Sequence, residues 1–430
     1  MRKRWIGIGL VLALVMIFFA GCAKSSKEVK LSFWIWDGSP EYSETYKSQI
    51  AEYKKLAPNV TIDFLGLPFD SALDKLNTAL ATKTSPDVAA MGMGWVANFY
   101  YSKALTPLDK YFDASKLKDV ADKKTFDTGV VNGTRVGIPT DFTLLGTWYN
   151  TELFKQLNLQ IPTSYSEYFA DIRAITKSKK AYGFSLRGGF GSTYMLDGYL
   201  ISYVSPKSYF DENGKVFLRD PKAREGFKKY IGLYKTDTAE SDINNGFKEM
   251  VGEFDSGAAG IILHNISSEP LHAKSPLAGK YGFFILPKAD NGVQTISLTN
   301  VAATSQLAVF NSCKNPAEAW KFIEFLMNDA NIGDFNMKTG TLPCTTSAQK
   351  ADWIKNNPTM AYTVKVLQDP NIQTVAAPLH MPDYDNIHQK ILMPGLQEVL
   401  AGKRSADEYF DQWISLMEKA YQDYLAVVKK

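Results

Sequence analysis

Cysteine and histidine are scarce in this chain, which has three of one and four of the other among 430 residues. Beyond the N-terminal segment only Cys313 and Cys344 remain, too few for a disulfide framework, and whether they pair stays open. Four histidines without metal-ligand spacing argue against a zinc centre, so neither a metal nor a cofactor is expected. Excess charge of one sign is also lacking. Lys and Arg total 48 against 45 Asp and Glu, and loss of Arg2, Lys3 and Arg4 with a cleaved N-terminus would bring the two level. That leaves no basic stripe for nucleic acid and no acidic tail. Catalytic signatures are missing too: there is no Gly-x-Ser-x-Gly elbow, P-loop, Gly-x-Gly-x-x-Gly or His-Glu-x-x-His. A glycoside hydrolase needs only two carboxylates about 5–9 Å apart, so an enzyme is not excluded, but no acidic pair stands out.

What is present begins at the N-terminus. Arg2 to Arg4 are basic, residues 5–20 are nearly all apolar, and Phe19-Ala20-Gly21-Cys22 follows. The run is short for a membrane span, which takes about 20 apolar residues, and suits the core of a secretory signal. Small residues before a cysteine resemble the bacterial lipobox. The expectation is a signal over 1–21, a lipid on Cys22 and a polar tether over 22–29; a plain signal with an incidental cysteine is the alternative. The remaining ~400 residues exceed one small core and suit two lobes. They carry 22 Tyr, 25 Phe and 8 Trp, more aromatics than such cores require.

Along the chain, Leu31, Phe33 and Ile35 share one face of a strand, and Trp34 reads as core. Ser39 and Pro40 mark a helix start. Val60, Ile62 and Phe64 alternate as a second strand, a helix covers 70–82, and 86–90 is a short buried strand. Alternating strands and helices imply a mainly parallel sheet flanked by helices, with ligands beyond the carboxyl ends of the strands. Trp36, Asp37 and the loop 91–95 fall at such ends. Residues 137–150, with Pro139 fixing extended backbone, read as a crossing to a second, similar set. There Ser164 and Glu167 have capping-box spacing, as do Ser405 and Glu408 near the C-terminus. Strands are expected at 181–186, 258–263 and 281–286. The first ends in Arg187-Gly188-Gly189-Phe190-Gly191 and the second in His264-Asn265. Residues 296–310 read as an extended return to the first lobe.

Taken in order, the lipobox, Trp34-Ile35-Trp36, Ser85-Pro86-Asp87-Val88, Leu105-Thr106-Pro107-Leu108-Asp109, Gly137-Ile138-Pro139, Trp148-Tyr149-Asn150, the strand before His264 and Ala401-Gly402-Lys403 form one pattern. Through it the chain resembles an extracellular solute-binding protein of a bacterial ABC importer, of the family 1 sugar binders that include the maltodextrin-binding proteins. Where that family usually has Gly-x-Trp, this chain has His264-Asn265-Ile266-Ser267.

The resemblance implies an α/β, two-lobed periplasmic-binding-protein-like fold of type II, each lobe a central, mainly parallel sheet flanked by helices. The first lobe would take 30–139 plus 298–342 and the second 144–293 plus 346–430. Hinge strands would lie near 138–142 and 294–300, with a third crossing near 340–345. It implies a non-enzymatic receptor, a monomer lipid-anchored on the outer face of the cytoplasmic membrane, serving ABC permease subunits.

A pyranose offers apolar C–H faces and a rim of hydroxyls, so its site needs flat aromatics beside Asp, Asn, Arg or His. Trp36, Trp95 and Phe190 are the stacking candidates. Asp37, Asp141, Arg187, His264 and Asn300 could bond hydroxyls, the carboxylates through charge-assisted bonds. Phe142, Asn265 and Tyr384 complete the expected set. A polyamine ligand in the same fold would call for several acids in the cleft, and the candidates include only two.

Overall fold

The alternation of Leu31, Phe33 and Ile35 builds the centre of the first lobe. In the computed structural model, which describes residues 28–92, 94–112, 119–121, 126–297 and 305–428, the strand Val29–Ile35 runs parallel to both Val60–Gly66 and Val88–Gly92. Ser305–Val309 pairs antiparallel with Val88–Gly92, and Ile138–Pro139 closes the far edge. A proline is tolerated at that edge because no further strand needs its missing N–H. The helix Pro40–Leu56 buries Tyr42, Tyr46 and Tyr53 against this sheet, and Tyr46 meets the Phe33 ring edge-on at 5.1 Å.

The second lobe is centred on Leu145–Asn150, flanked antiparallel by Tyr281–Phe284 and Ile261–Asn265. Its strand directions are therefore more mixed than the mainly parallel sheet expected. Residues 181–186 form only bridges, at Tyr182 to Ala259 and Ser185 to Ile262, both parallel. The cause lies on their other edge. There the amide of Phe184 donates to Asp237 O and that of Leu186 to the Asp242 carboxylate, so a loop stands where the next strand would. The lobe's core is filled by the helix Ser192–Val204, every residue of which is buried. A helix with no solvent-facing side belongs in such a place.

Two strand pairs join the lobes. Asp141–Phe142 pairs antiparallel with Leu342–Pro343, and Thr295–Ser297 pairs parallel with Gln373–Val375. The final crossing lies later than expected near 340–345. Leu342, Cys344, Ile354, Met360 and Val366 all pack in the first core, and the second resumes at Val375. Residues 346–366 thus side with the first lobe, because the helix Pro358–Gln368 buries Met360 and Val366 there.

Cys313 and Cys344 are both free and buried; the Cys344 thiol donates to Pro139 O at 2.9 Å. Burial pushes the Cys313 thiol up to about 12, which keeps it unreactive at neutral pH. A thiol reductant is therefore expected to leave the melting temperature unchanged; a fall on reduction would reveal a bridge. No helix among the described residues is long and apolar enough to cross a membrane. Cys22 and the signal segment lie outside the described residues.

Candidate ligand-binding cleft

Strand-end loops from both lobes face one cavity of about 920 Å³. From the first lobe, Trp36, Asp37 and Tyr42 line it where Val29–Ile35 passes into the next helix. The loops after Val29–Ile35 and Val60–Gly66 touch there. A Cβ on Gly38 would lie 2.8 Å from the Gly66 carbonyl carbon, and one on Gly66 equally close to Gly38 Cα. Only glycine allows two backbones that near. From the second lobe come Arg187, Phe190, Phe247, Lys248, His264 and Asn265.

Each polar group is held by its own neighbours. Trp36 is 2% exposed, its Nε1 donates to Ser305 Oγ at 2.7 Å, and it meets Tyr42 and Trp95 edge-on at 6.1 and 6.2 Å. Asp37 accepts the Ser39 amide at 2.9 Å, which replaces the side-chain cap expected from Ser39 itself. Burial raises the Asp37 carboxyl, while that bond and Lys248 of the opposite wall pull it down. Burial lowers the Arg187 guanidinium to about 10, so it stays charged at neutral pH. His264 lies over the Phe247 ring at 4.8 Å, and its Nδ1 is 3.1 Å from Asn265 O and 3.2 Å from Ser268 Oγ. Burial first, and then the Arg187 charge, hold this imidazole well below its ordinary 6.5, so it is neutral.

The cavity wall thus gathers Trp36, Asp37, Arg187, Phe190, His264 and Asn265 from the expected set. Four others stand back from it. Trp95 opens the helix Trp95–Tyr101 and packs behind Trp36. Asp141 and Phe142 are buried in the interlobe strand pair, where Asp141 Oδ1 accepts from Ser305 N at 2.9 Å and Thr140 Oγ1 at 2.7 Å. Tyr384 lies in the second core, donating to Asp197 at 2.8 Å. Asn300 falls outside the described residues. Phe247 and Lys248, absent from the expected set, follow Gly246 at the start of the helix Phe247–Asp255. No strand precedes them, so the strand-end rule does not find them. Among the described residues no group of three or more His, Cys, Asp or Glu could hold a metal ion.

Residues 37–332 match the family described as bacterial extracellular solute-binding protein. The chain belongs to that family. It is a family of binding proteins rather than enzymes. This solute-binding protein is 25% identical over 412 residues to a binding protein of Brucella abortus (strain 2308), covering 94% of this chain and 95% of that one. In structure it is similar to the GacH receptor of Streptomyces glaucescens GLA.O, described unliganded and in complex with acarbose. The TM-score is 0.78 at 21% identity, over 92% of this chain and 99% of that one. It is also similar to maltose-bound MalE3 of T. maritima, with a TM-score of 0.80 at 20% identity over 91% and 99%. The two-lobed periplasmic-binding fold expected from the sequence is the one these proteins share.

Proposed function

We propose that this protein captures a sugar between its lobes, closes around it at the interlobe strands, and passes it unchanged to an ABC permease. In this reading it is a monomer held by lipid on Cys22 at the outer face of the cytoplasmic membrane. Its lobes are 28–139 with 305–366, and 144–297 with 375–428. The observation that carries the proposal is the cleft itself. Trp36 and Tyr42 face Phe190 and Phe247 across it, beside Asp37, Arg187, His264 and Asn265. Aromatic faces and short polar groups on opposite walls suit a pyranose, and the sugars named with the relatives support that class. A ligand that touches both walls binds the closed state better, and only such a difference can drive closure. The acids Asp37, Glu41, Asp70 and Glu249 share the cavity with Arg187, Lys248 and Lys338, which disfavours a polyamine.

A sugar present at about 100 times its dissociation constant is expected to add about 2.7 kcal/mol of stability. It should also change the tryptophan emission through Trp36. A carbohydrate panel giving neither effect, while another solute class gave both, would remove the sugar and keep the receptor. A sugar recovered chemically altered would remove the carrier.

A further inference from the structure

Arg187 is 3% exposed, yet it lines the cavity. Its Nε donates to Phe190 O at 2.6 Å. Among the described residues no carboxylate forms an ion pair with its terminal nitrogens. The guanidinium lies against Gly191, where a Cβ would sit 2.5 Å from Nη2 and where φ is +85°. Gly191 is in turn the N-cap of the 13-residue helix Ser192–Val204, and no side chain caps that end. A fixed positive charge therefore rests on the positive end of a helix dipole, which favours anions. In the first turn of that helix the Ser192 hydroxyl is buried and has no partner among the described residues. An unpaired buried charge is costly, and a positive helix end adds to that cost; a bound oxyanion would relieve both.

We infer that the ligand of this cleft is an anionic saccharide, whose carboxylate or phosphate meets the Arg187 Nη atoms on their cavity side, where the guanidinium covers the N-terminal end of Ser192–Val204. The inference rests on the sugar-capture reading and narrows its substrate class. With Nε engaged by Phe190, Nη1 and Nη2 remain to take two oxygens in parallel. Glu249, the acid nearest in effect on this wall, is tied to the Gly246 amide at 3.0 Å. The acids Asp37, Glu41 and Asp70 stand on the opposite lobe, so the anionic end faces the second lobe and the hydroxyls face the first.

The test is calorimetric titration of the full chain with galacturonate, glucuronate and their disaccharides, with glucose 6-phosphate, and with galactose and glucose as neutral counterparts. At least one carboxylated or phosphorylated sugar is expected to bind about 10- to 100-fold more tightly than its neutral counterpart, the range for hydrogen bonds to a charged group. Which arm responds identifies the oxyanion. Arg187→Gln should abolish that ratio while the unliganded variant melts at or above the wild-type temperature, since an uncompensated charge has gone. Arg187→Lys, which keeps the charge and loses the planar fork, should lower the ratio without abolishing it. Neutral sugars binding the wild type as tightly as every acidic one would overturn the inference and leave sugar capture standing, and so would a preference that survives in Arg187→Gln. If no saccharide of either kind bound while another solute did, sugar capture would fall and this inference with it.

Discussion

Replacing Trp148 with alanine is expected to cost about 3–5 kcal/mol of stability, the range for truncating a buried tryptophan. The residue is fully buried at the middle of Leu145–Asn150. Its ring lies 4.6 Å from His272 and 4.8 Å from Phe283, in a small cluster with Met250, Phe254, Ile262 and Leu277. Packing is one part of its role. The indole Nε1 also donates to Asn265 O at 3.1 Å, the same carbonyl that the His264 imidazole and the Ser268 hydroxyl approach. Trp148 thereby ties the central strand to the turn that carries two cleft residues. Trp148→Ala should therefore lower the urea midpoint and weaken ligand binding together. Trp148→Phe should keep most of the packing and lose mainly the hydrogen bond, about 1 kcal/mol. An alanine variant that unfolded at the wild-type urea concentration would show that the turn at 264–268 stands without this strand.

Local rules carried the sequence reading where a local cause decides the structure. Alternation at Leu31, Phe33 and Ile35 reports a half-buried strand, and Pro40 opens its helix. Ser164 and Glu167 form the reciprocal capping box their spacing suggests. Where long-range packing decides, the same rules fall short. Ser192–Val204 has no polar stripe, so no helical period marks it. Asp141 follows a proline in a polar stretch, and only the pairing with Leu342–Pro343 and the bond from Ser305 N bury it. Tyr384 is drawn into the core by Asp197, nearly two hundred positions earlier in the chain. The cleft was legible at strand ends, where topology aims side chains outward. It was not legible at Phe247, which reaches the cavity from a helix start.

Asp197 makes a large expected pH effect that one substitution isolates. It is buried in the helix Ser192–Val204, accepting from Tyr209 at 3.0 Å and Tyr384 at 2.8 Å. Burial outweighs both bonds and raises its carboxyl from an ordinary 3.8 to about 7. Such a group holds its proton more firmly folded than unfolded. Its contribution to stability is full below about pH 3.8 and is lost as pH rises through about 7. At about 1.36 kcal/mol per pH unit, the loss is about 4 kcal/mol. Asp141, raised by burial to about 7 in the interlobe strand pair, acts in the same direction. His388, which burial lowers to about 3, acts oppositely: its contribution is full above about pH 6.5 and is lost as pH falls toward about 3. The raw pH profile therefore mixes the two signs, and a comparison with Asp197→Asn separates them. The amide keeps the shape and removes the titration, so terms from His388 and Asp141 cancel in the difference. Urea unfolding of both proteins should show the variant gaining about 4 kcal/mol relative to wild type between about pH 4 and about pH 8. A difference that stayed constant across that span would mean that Asp197 is ionised throughout, with the two tyrosine hydroxyls sufficient to hold its charge inside the second lobe.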